Sequence, residues 1–284
     1  MRKEILITIL CCLPLGVLLL LGCSGNQRSA SNDEMLDSLS AATTALDSLS
    51  DIFGDSSMTK AVDELFDDFI FNFAANRKLQ ATRISFPLPI VENGIARKEG
   101  KNEWKMDYFF MKQGYYSLIF DDEKQMEIIN DTAVHHVVVE KIFLSKELVR
   151  QYVFDRINGM WMLTGIEETA LSQNKNASFL SFYQHFATDD NFQKRSLHVP
   201  VAIVLPDPND DFGSMIADLY PEQWVDFKPQ ILPHNVIYNI IYGQKYKNAA
   251  QKLFVIRGIA NGLETKMVFK QIKGKWMLTK LTKL

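Results

Sequence analysis

Ile157-Asn158-Gly159-Met160-Trp161-Met162-Leu163-Thr164 returns near the end of the chain as Ile272-Lys273-Gly274-Lys275-Trp276-Met277-Leu278-Thr279, 115 residues later. Val153 and Phe154 map onto Val268 and Phe269 at the same offset. Upstream the offset is 113: Phe66, Phe69 and Phe73 return as Phe179, Phe182 and Phe186, Gln80 as Gln193, Ile84 as Leu197, Pro87 as Pro200 and Ile90 as Ile203. Self-similarity at a fixed offset marks a repeated structural unit. The 284 residues therefore hold two copies of one domain, residues 58–170 and 174–284, joined by residues 172–176. Length agrees, since ~150 residues per domain gives about two domains.

Each copy reads in the same order. In the first, Val62, Leu65, Phe66, Phe69, Ile70 and Phe73 share one face of a helix expected over 58–75, with Ser56 or Ser57 placed to cap it. A short helix is expected over 77–82, and Phe86-Pro87-Leu88-Pro89-Ile90 is extended because each proline disfavours helical geometry in the residue before it. Residues 103–111, around Trp104 and Phe109, read as helical again. Strands follow at 116–120, 133–143, 148–155 and 160–166, and Asn158-Gly159 tolerates the positive φ angles of a two-residue hairpin turn between the last two. The class is α+β: helices, then an antiparallel sheet.

That order resembles the NTF2-like, cystatin-like cone, in which helices pack on a curved antiparallel sheet. Leu79-Gln80-Ala81-Thr82-Arg83-Ile84-Ser85-Phe86-Pro87-Leu88 and Gly159-Met160-Trp161-Met162-Leu163-Thr164 are similar to an uncharacterised family of Bacteroidetes lipoproteins built on a domain of unknown function. The resemblance covers residues 58–284 and implies two tandem cones, each able to hold an interior pocket. The second copy departs from it at Phe192-Gln193-Lys194-Arg195-Ser196-Leu197, where the arginine is shifted by one position, and in an inserted stretch at 205–215 read as a solvated acidic loop.

The N-terminus reads as an address. Arg2 and Lys3 precede an apolar run over 5–21, and Leu20-Leu21-Gly22-Cys23 resembles the bacterial lipobox. The resemblance implies a signal peptide over 1–22, cleavage before Cys23 and lipid attachment to the Cys23 thiol. The run is shorter than the ~20 apolar residues of a spanning helix and contains Pro14. Cys11 and Cys12 leave with the signal, so the mature chain has no disulfide and no cysteine metal site. Ser24 after the anchor implies an outer-membrane lipoprotein facing the periplasm. Residues 23–57 form a Ser- and Asp-rich tether in which Met35, Leu39, Ala42, Leu46, Leu49 and Phe53 make a short heptad stripe, so part of it is expected to be helical.

Catalytic motifs are absent: there is no phosphate loop, no His-Glu-x-x-His and no Gly-x-Ser-x-Gly. With 31 Lys and Arg against 34 Asp and Glu, the net charge is −3, which disfavours nucleic acid as a partner. His135 and His136 are adjacent in a strand, so one ring should face the cone interior. Either, with Tyr152 or Asp155 on the next strand, makes a pocket candidate, because the cone resemblance implies an interior His or Asp as a base. Asp207, Asn209 and Asp211 are spaced like the first ligands of a calcium loop, but the glycine comes one residue late and Asp218 stands where a Glu is needed. No cofactor is expected. Ser38, Ser48 and Thr132 lie in Asp-Ser/Thr-apolar triplets that resemble O-glycan acceptors of exported Bacteroidetes proteins. Tyr108-Phe109-Phe110 and Tyr115-Tyr116 line either a pocket or the core. The functional expectation is a membrane-anchored envelope protein acting as a non-catalytic binding or scaffolding module. The alternative is an isomerase, lyase or hydrolase working inside one cone.

Overall fold

The computed structural model describes residue 63 and residues 65–283. The described residues group into one unit. The first repeat runs α1 (Phe66–Ala75), α2 (Arg77–Thr82), β1 (Leu88–Glu92), β2 (Ile95–Glu99), β3 (Tyr115–Phe120), β4 (His136–Phe143), β5 (Leu148–Ile157) and β6 (Met160–Ala170). The second runs α3 (Ala177–Thr188), α4 (Asp190–Arg195), β7 (Leu197–Asp207), β8 (Asp210–Leu219), α5 (Trp224–Phe227), β9 (Val236–Ile241), β10 (Gln251–Gly258), β11 (Glu264–Ile272) and β12 (Lys275–Lys283).

The local reasons are the ones the sequence suggests. Asn76 and Asp189, 113 residues apart, accept backbone N–H bonds at the starts of α2 and α4. Asn158-Gly159 and Lys273-Gly274 both take positive φ, 52° and 81° in one, 51° and 76° in the other, and close matching hairpins. On α1, Phe66 meets Trp161 edge-on at 5.1 Å, and on α3 Phe179 meets Trp276 at 5.5 Å. The repeated Phe and Trp residues are thus helix-to-sheet packing.

The two repeats do not make two sheets. Twelve strands form one sheet in the order β2-β1-β6-β5-β4-β9-β3-β10-β11-β12-β7-β8. Each strand has its counterpart at the mirrored place in that order. The central pair is exchanged: β9 of the second repeat pairs antiparallel with β4 of the first, and β3 of the first pairs antiparallel with β10 of the second. Between them β3 and β9 meet in parallel at Ser117 and Asn239 alone.

The exchange explains why the central strands read as unbroken apolar runs. In β3, Tyr116, Leu118 and Phe120 enter the core under α1, while Ile119 enters the core under α3. In β9, Tyr238 and Ile240 go to the first core and Ile237 to the second. Strands buried on both faces lose the apolar–polar alternation of half-buried ones. The inserted stretch 205–215 is not a loop. It continues β7 into β8, with Val204 opposite Ile216 and Asp207 opposite Asp210 at the turn. Among the described residues no helix is long and apolar enough to cross a membrane.

Candidate functional site

The site starts at Gln80, fully buried on α2. Its Nε2 donates to the carbonyls of Phe73 (2.9 Å) and Asp107 (2.7 Å), and its Oε1 accepts from Trp104 Nε1 (3.1 Å) and the Asp107 N–H (3.2 Å). One amide therefore uses its full hydrogen-bonding capacity to fix the segment after β2. This is why 103–111 is not the helix expected from its pattern: Gln80 takes both backbone groups of Asp107 that a helix would need. The segment instead follows an irregular path into a 3₁₀ turn at Phe109–Gln113. Phe109 enters that turn at φ 47°, a left-handed conformation costly for a bulky residue. Its N–H donates to Asp107 Oδ1 (2.8 Å), and its ring packs on Tyr152 with centroids 4.8 Å apart.

Asp107 is held at both oxygens, because the Tyr152 hydroxyl donates to Oδ2 at 2.5 Å. Beside it opens a cleft of about 400 Å³ whose walls include Lys105, Asp107, Tyr108, Lys112, Lys141 and Tyr238. Lys141 on β4 and Tyr238 on β9 are directly opposite in the ladder. The exchanged strand of the second repeat thus completes a cleft begun by the first. Lys141 Nζ lies 5.4 Å from the Tyr238 ring centre and Lys112 Nζ 4.8 Å from that of Tyr108. Among the described residues, neither lysine nor Lys105 is ion-paired with a carboxylate. Burial, and after it the charge of Asp107, push the phenols of Tyr152 and Tyr238 above the ordinary tyrosine range, so both stay protonated.

The duplicate of this cleft is different. Strand pairing places Ile256 where the first repeat has Lys141, Thr265 where it has Arg150, and Met267 where it has Tyr152. The hollow there, bounded by Ile231, Ile256, Leu263 and Thr265 among others, has a volume of about 170 Å³. The strand arrangement is matched there, while the three lysines of the first cleft are not: Lys283 is the one lysine in the lining.

A family model described as a domain of unknown function, DUF4348, matches residues 45–283. The chain belongs to the DUF4348 family. The DUF4348 match runs through both repeats, in keeping with a sheet that both repeats build. A crystal structure of an NTF2-like protein from Bacteroides fragilis NCTC 9343 is 42% identical, with a TM-score of 0.73, covering 78% of this chain and 96% of that one. The likeness bears out the NTF2-like fold and the α+β class. A search of curated proteins finds no match.

In this DUF4348 chain the sequence candidates lie apart. Tyr152 is buried and reaches the cleft through Asp107. His135 and His136 are both exposed, against the expectation that one would point inward. β4 begins only at His136, and its inward positions start at Val137 and Val139. His136 Nδ1 instead pairs with Asp155 Oδ1 at 2.7 Å across the ladder, and Thr164 donates to Asp155 Oδ2 at 2.6 Å. Burial opposes it, yet the Thr164 and His136 bonds hold the Asp155 carboxyl below its ordinary range. Asp207 and Asn209 sit at the β7–β8 turn, where the Asp207 carboxylate accepts the Asn209 N–H at 2.9 Å, and Asp211 lies in β8. Among the described residues no three His, Cys, Asp or Glu gather as metal ligands. Thr132 is exposed, while Cys23, Ser38, Ser48 and the tether stripe lie outside the described residues.

Sequence reading missed Asp107 and Lys141. It matched Gln80 to Gln193 but not Trp104 to Trp224, 120 residues apart, although Gln193 Oε1 accepts from Trp224 Nε1 at 2.8 Å as Gln80 does from Trp104. The inserted residues between them shift the offset from 113 to 120. Following the Gln–Trp pair across that shift would have led to the loop that carries Asp107.

Proposed function

We propose that this chain is an envelope lipoprotein, anchored through Cys23 and facing the periplasm, whose folded part binds a small molecule in the cleft at Asp107, Lys141 and Tyr238 without transforming it. The observation that carries the reading is the loop held by Gln80: a fully buried amide and a left-handed Phe109 fix one wall of an open cleft. Strain of about 1 kcal/mol or more is kept where the surrounding structure enforces it, often around a ligand site. Catalysis is the weaker reading there. Asp107 already accepts two hydrogen bonds, and the raised phenols of Tyr152 and Tyr238 are poor bases. The His136–Asp155 pair has the form of an oriented acid–base pair but stands exposed on the sheet, where nothing excludes water.

The test is native mass spectrometry of the full chain, gently purified, beside Lys112→Trp, an exposed change that narrows the cleft mouth. Added mass on the wild type that the variant loses is the expected result. Equal added mass on both, or product formation from the bound molecule, refutes this reading. For the anchor, Cys23→Ala should release the chain from the membrane fraction and abolish fatty-acid labelling. Retention with label would remove the lipoprotein assignment.

A further inference from the structure

We propose that the cleft takes the oxyanion group of a small organic molecule: a carboxylate, sulfate ester or phosphate ester whose apolar body rests against Tyr108 and Val236. The inference rests on the binding reading above and adds the chemical class. It follows from a count of side-chain donors and acceptors. Lys105, Lys112 and Lys141 bring three ammonium groups to one cleft, and none is ion-paired with a described carboxylate. The one carboxylate in the wall, Asp107, has an oxygen on the Phe109 N–H and the other on the Tyr152 hydroxyl. Its charge is spent inward, on the protein's own donors. Tyr238, opposite Lys141, keeps its proton and lines the same cleft, so it adds a further donor. The side chains thus present three ammonium groups and a phenol donor against one carboxylate already engaged, the other acceptors being neutral: the Gln113 amide oxygen, whose Nε2 donates to the Tyr115 carbonyl, and the tyrosine hydroxyls. That arrangement matches an oxyanion and mismatches an ammonium or a ligand rich in donors.

Position favours Lys141 as the principal contact. It is half-buried, which restrains its stem, and its ammonium lies 5.7 and 5.4 Å from the Phe143 and Tyr238 ring centres. Holding the stem in place lessens the entropy lost when the ammonium engages an anion. Lys105 and Lys112 are exposed and contribute mainly by attracting the anion. The second repeat is an internal comparison, because Ile256 stands there in place of Lys141 and Lys283 is the one lysine among the residues that line the smaller hollow. The volume of about 400 Å³ suits a molecule of one or two rings.

The experiment is calorimetric titration of the full chain with four probes of one shape: 4-nitrophenyl phosphate, 4-nitrophenyl sulfate, 4-nitrobenzoate and the neutral 4-nitrobenzamide. The wild type should bind at least one of the three anions, weakening as salt rises from about 20 to about 500 mM, and should not bind the amide. Whichever anion binds tightest names the source group. Lys141→Met keeps the stem and should weaken that binding about tenfold or more. Lys98→Met on β2 makes the same change of net charge away from the cleft and should leave it unchanged. Urea midpoints matching the wild type show that both variants are folded. If the amide binds as tightly as the anions and Lys112→Trp abolishes both, the cleft binds but the anion assignment is wrong. If Lys98→Met weakens binding as much as Lys141→Met, the anions do not bind at this site. If no probe binds, both the class and the binding reading fall.

Discussion

Glu140 is 1% exposed at the seam of the two repeats, and three amides donate to its carboxylate: Asn239 Nδ2 at 2.8 Å, Asn174 Nδ2 at 2.8 Å and Gln151 Nε2 at 3.0 Å. Asn239 also accepts the Ile119 N–H at 2.9 Å, so its side chain supplies hydrogen bonding where the ladder between β3 and β9 is shortest. Burial pushes the Glu140 carboxyl up, against the pull of its three donors. The folded state therefore holds a proton that the unfolded chain has released. Stability owed to this group is full below the ordinary carboxylate pKa and declines as pH rises through the folded one. In urea melts from about pH 4 to about pH 8, the wild type should lose ground to Glu140→Gln by up to about 1.4 kcal/mol per pH unit inside that window. A gap that stays constant or moves the other way contradicts the assignment. At Gln80, replacement by Leu strands the backbone groups of Asp107 and should destabilise by about 2–4 kcal/mol. Gln193→Leu strands one donor, the buried Trp224 indole, rather than the backbone of a whole segment and should be milder, as urea melts of both will show.

At the level of elements, the Asn158-Gly159 turn is the most secure local feature. Gly159 sits at φ 81° with open space where a Cβ would go, so Gly159→Ala tests backbone conformation without a steric clash. It should lower the thermal midpoint, with a destabilisation of about 1 kcal/mol, and an unchanged midpoint would count against the turn geometry. This hairpin, the aromatic helices and most strands of the first repeat were legible, because each depends on neighbours within one element or one turn. The path of 103–111 was not legible, since its contest is between helical bonding and a glutamine 27 residues away. The orientation of the histidines was missed by a boundary: with the strand beginning at 136 rather than 133, His135 lies before it and both rings are exposed. The inserted stretch at 205–215 looked like a loop because Asp207, Asn209 and Asp210 cluster in its turn, while the register on either side holds two strands.

At the scale of the whole molecule, the recurring order of helices and strands was legible and the exchange of strands was not. Alternation of apolar residues says which face a strand buries, never which strand lies beside it. The apolar runs of β3, β9 and β10 did carry a trace of the answer, since burial on both faces is what a sheet centre with a core on each side requires. The cleft is built by that exchange. Tyr238 and Val236 come from the second repeat, Lys141 and Asp107 from the first, and neither repeat alone holds the cleft.

One chain builds this cleft by passing β9 of its second repeat alongside β4 of its first. Val138 and Ile241 are direct partners in that ladder, and such partners lie about 4.5–5.5 Å apart at Cα, within reach of a disulfide. The measurement is non-reducing peptide mass spectrometry of the full chain carrying Val138→Cys and Ile241→Cys, with Cys11, Cys12 and Cys23 changed to Ser. The account predicts a disulfide between positions 138 and 241 within a single chain. Free thiols at both positions in the folded protein, or a bond joining two chains, would contradict it.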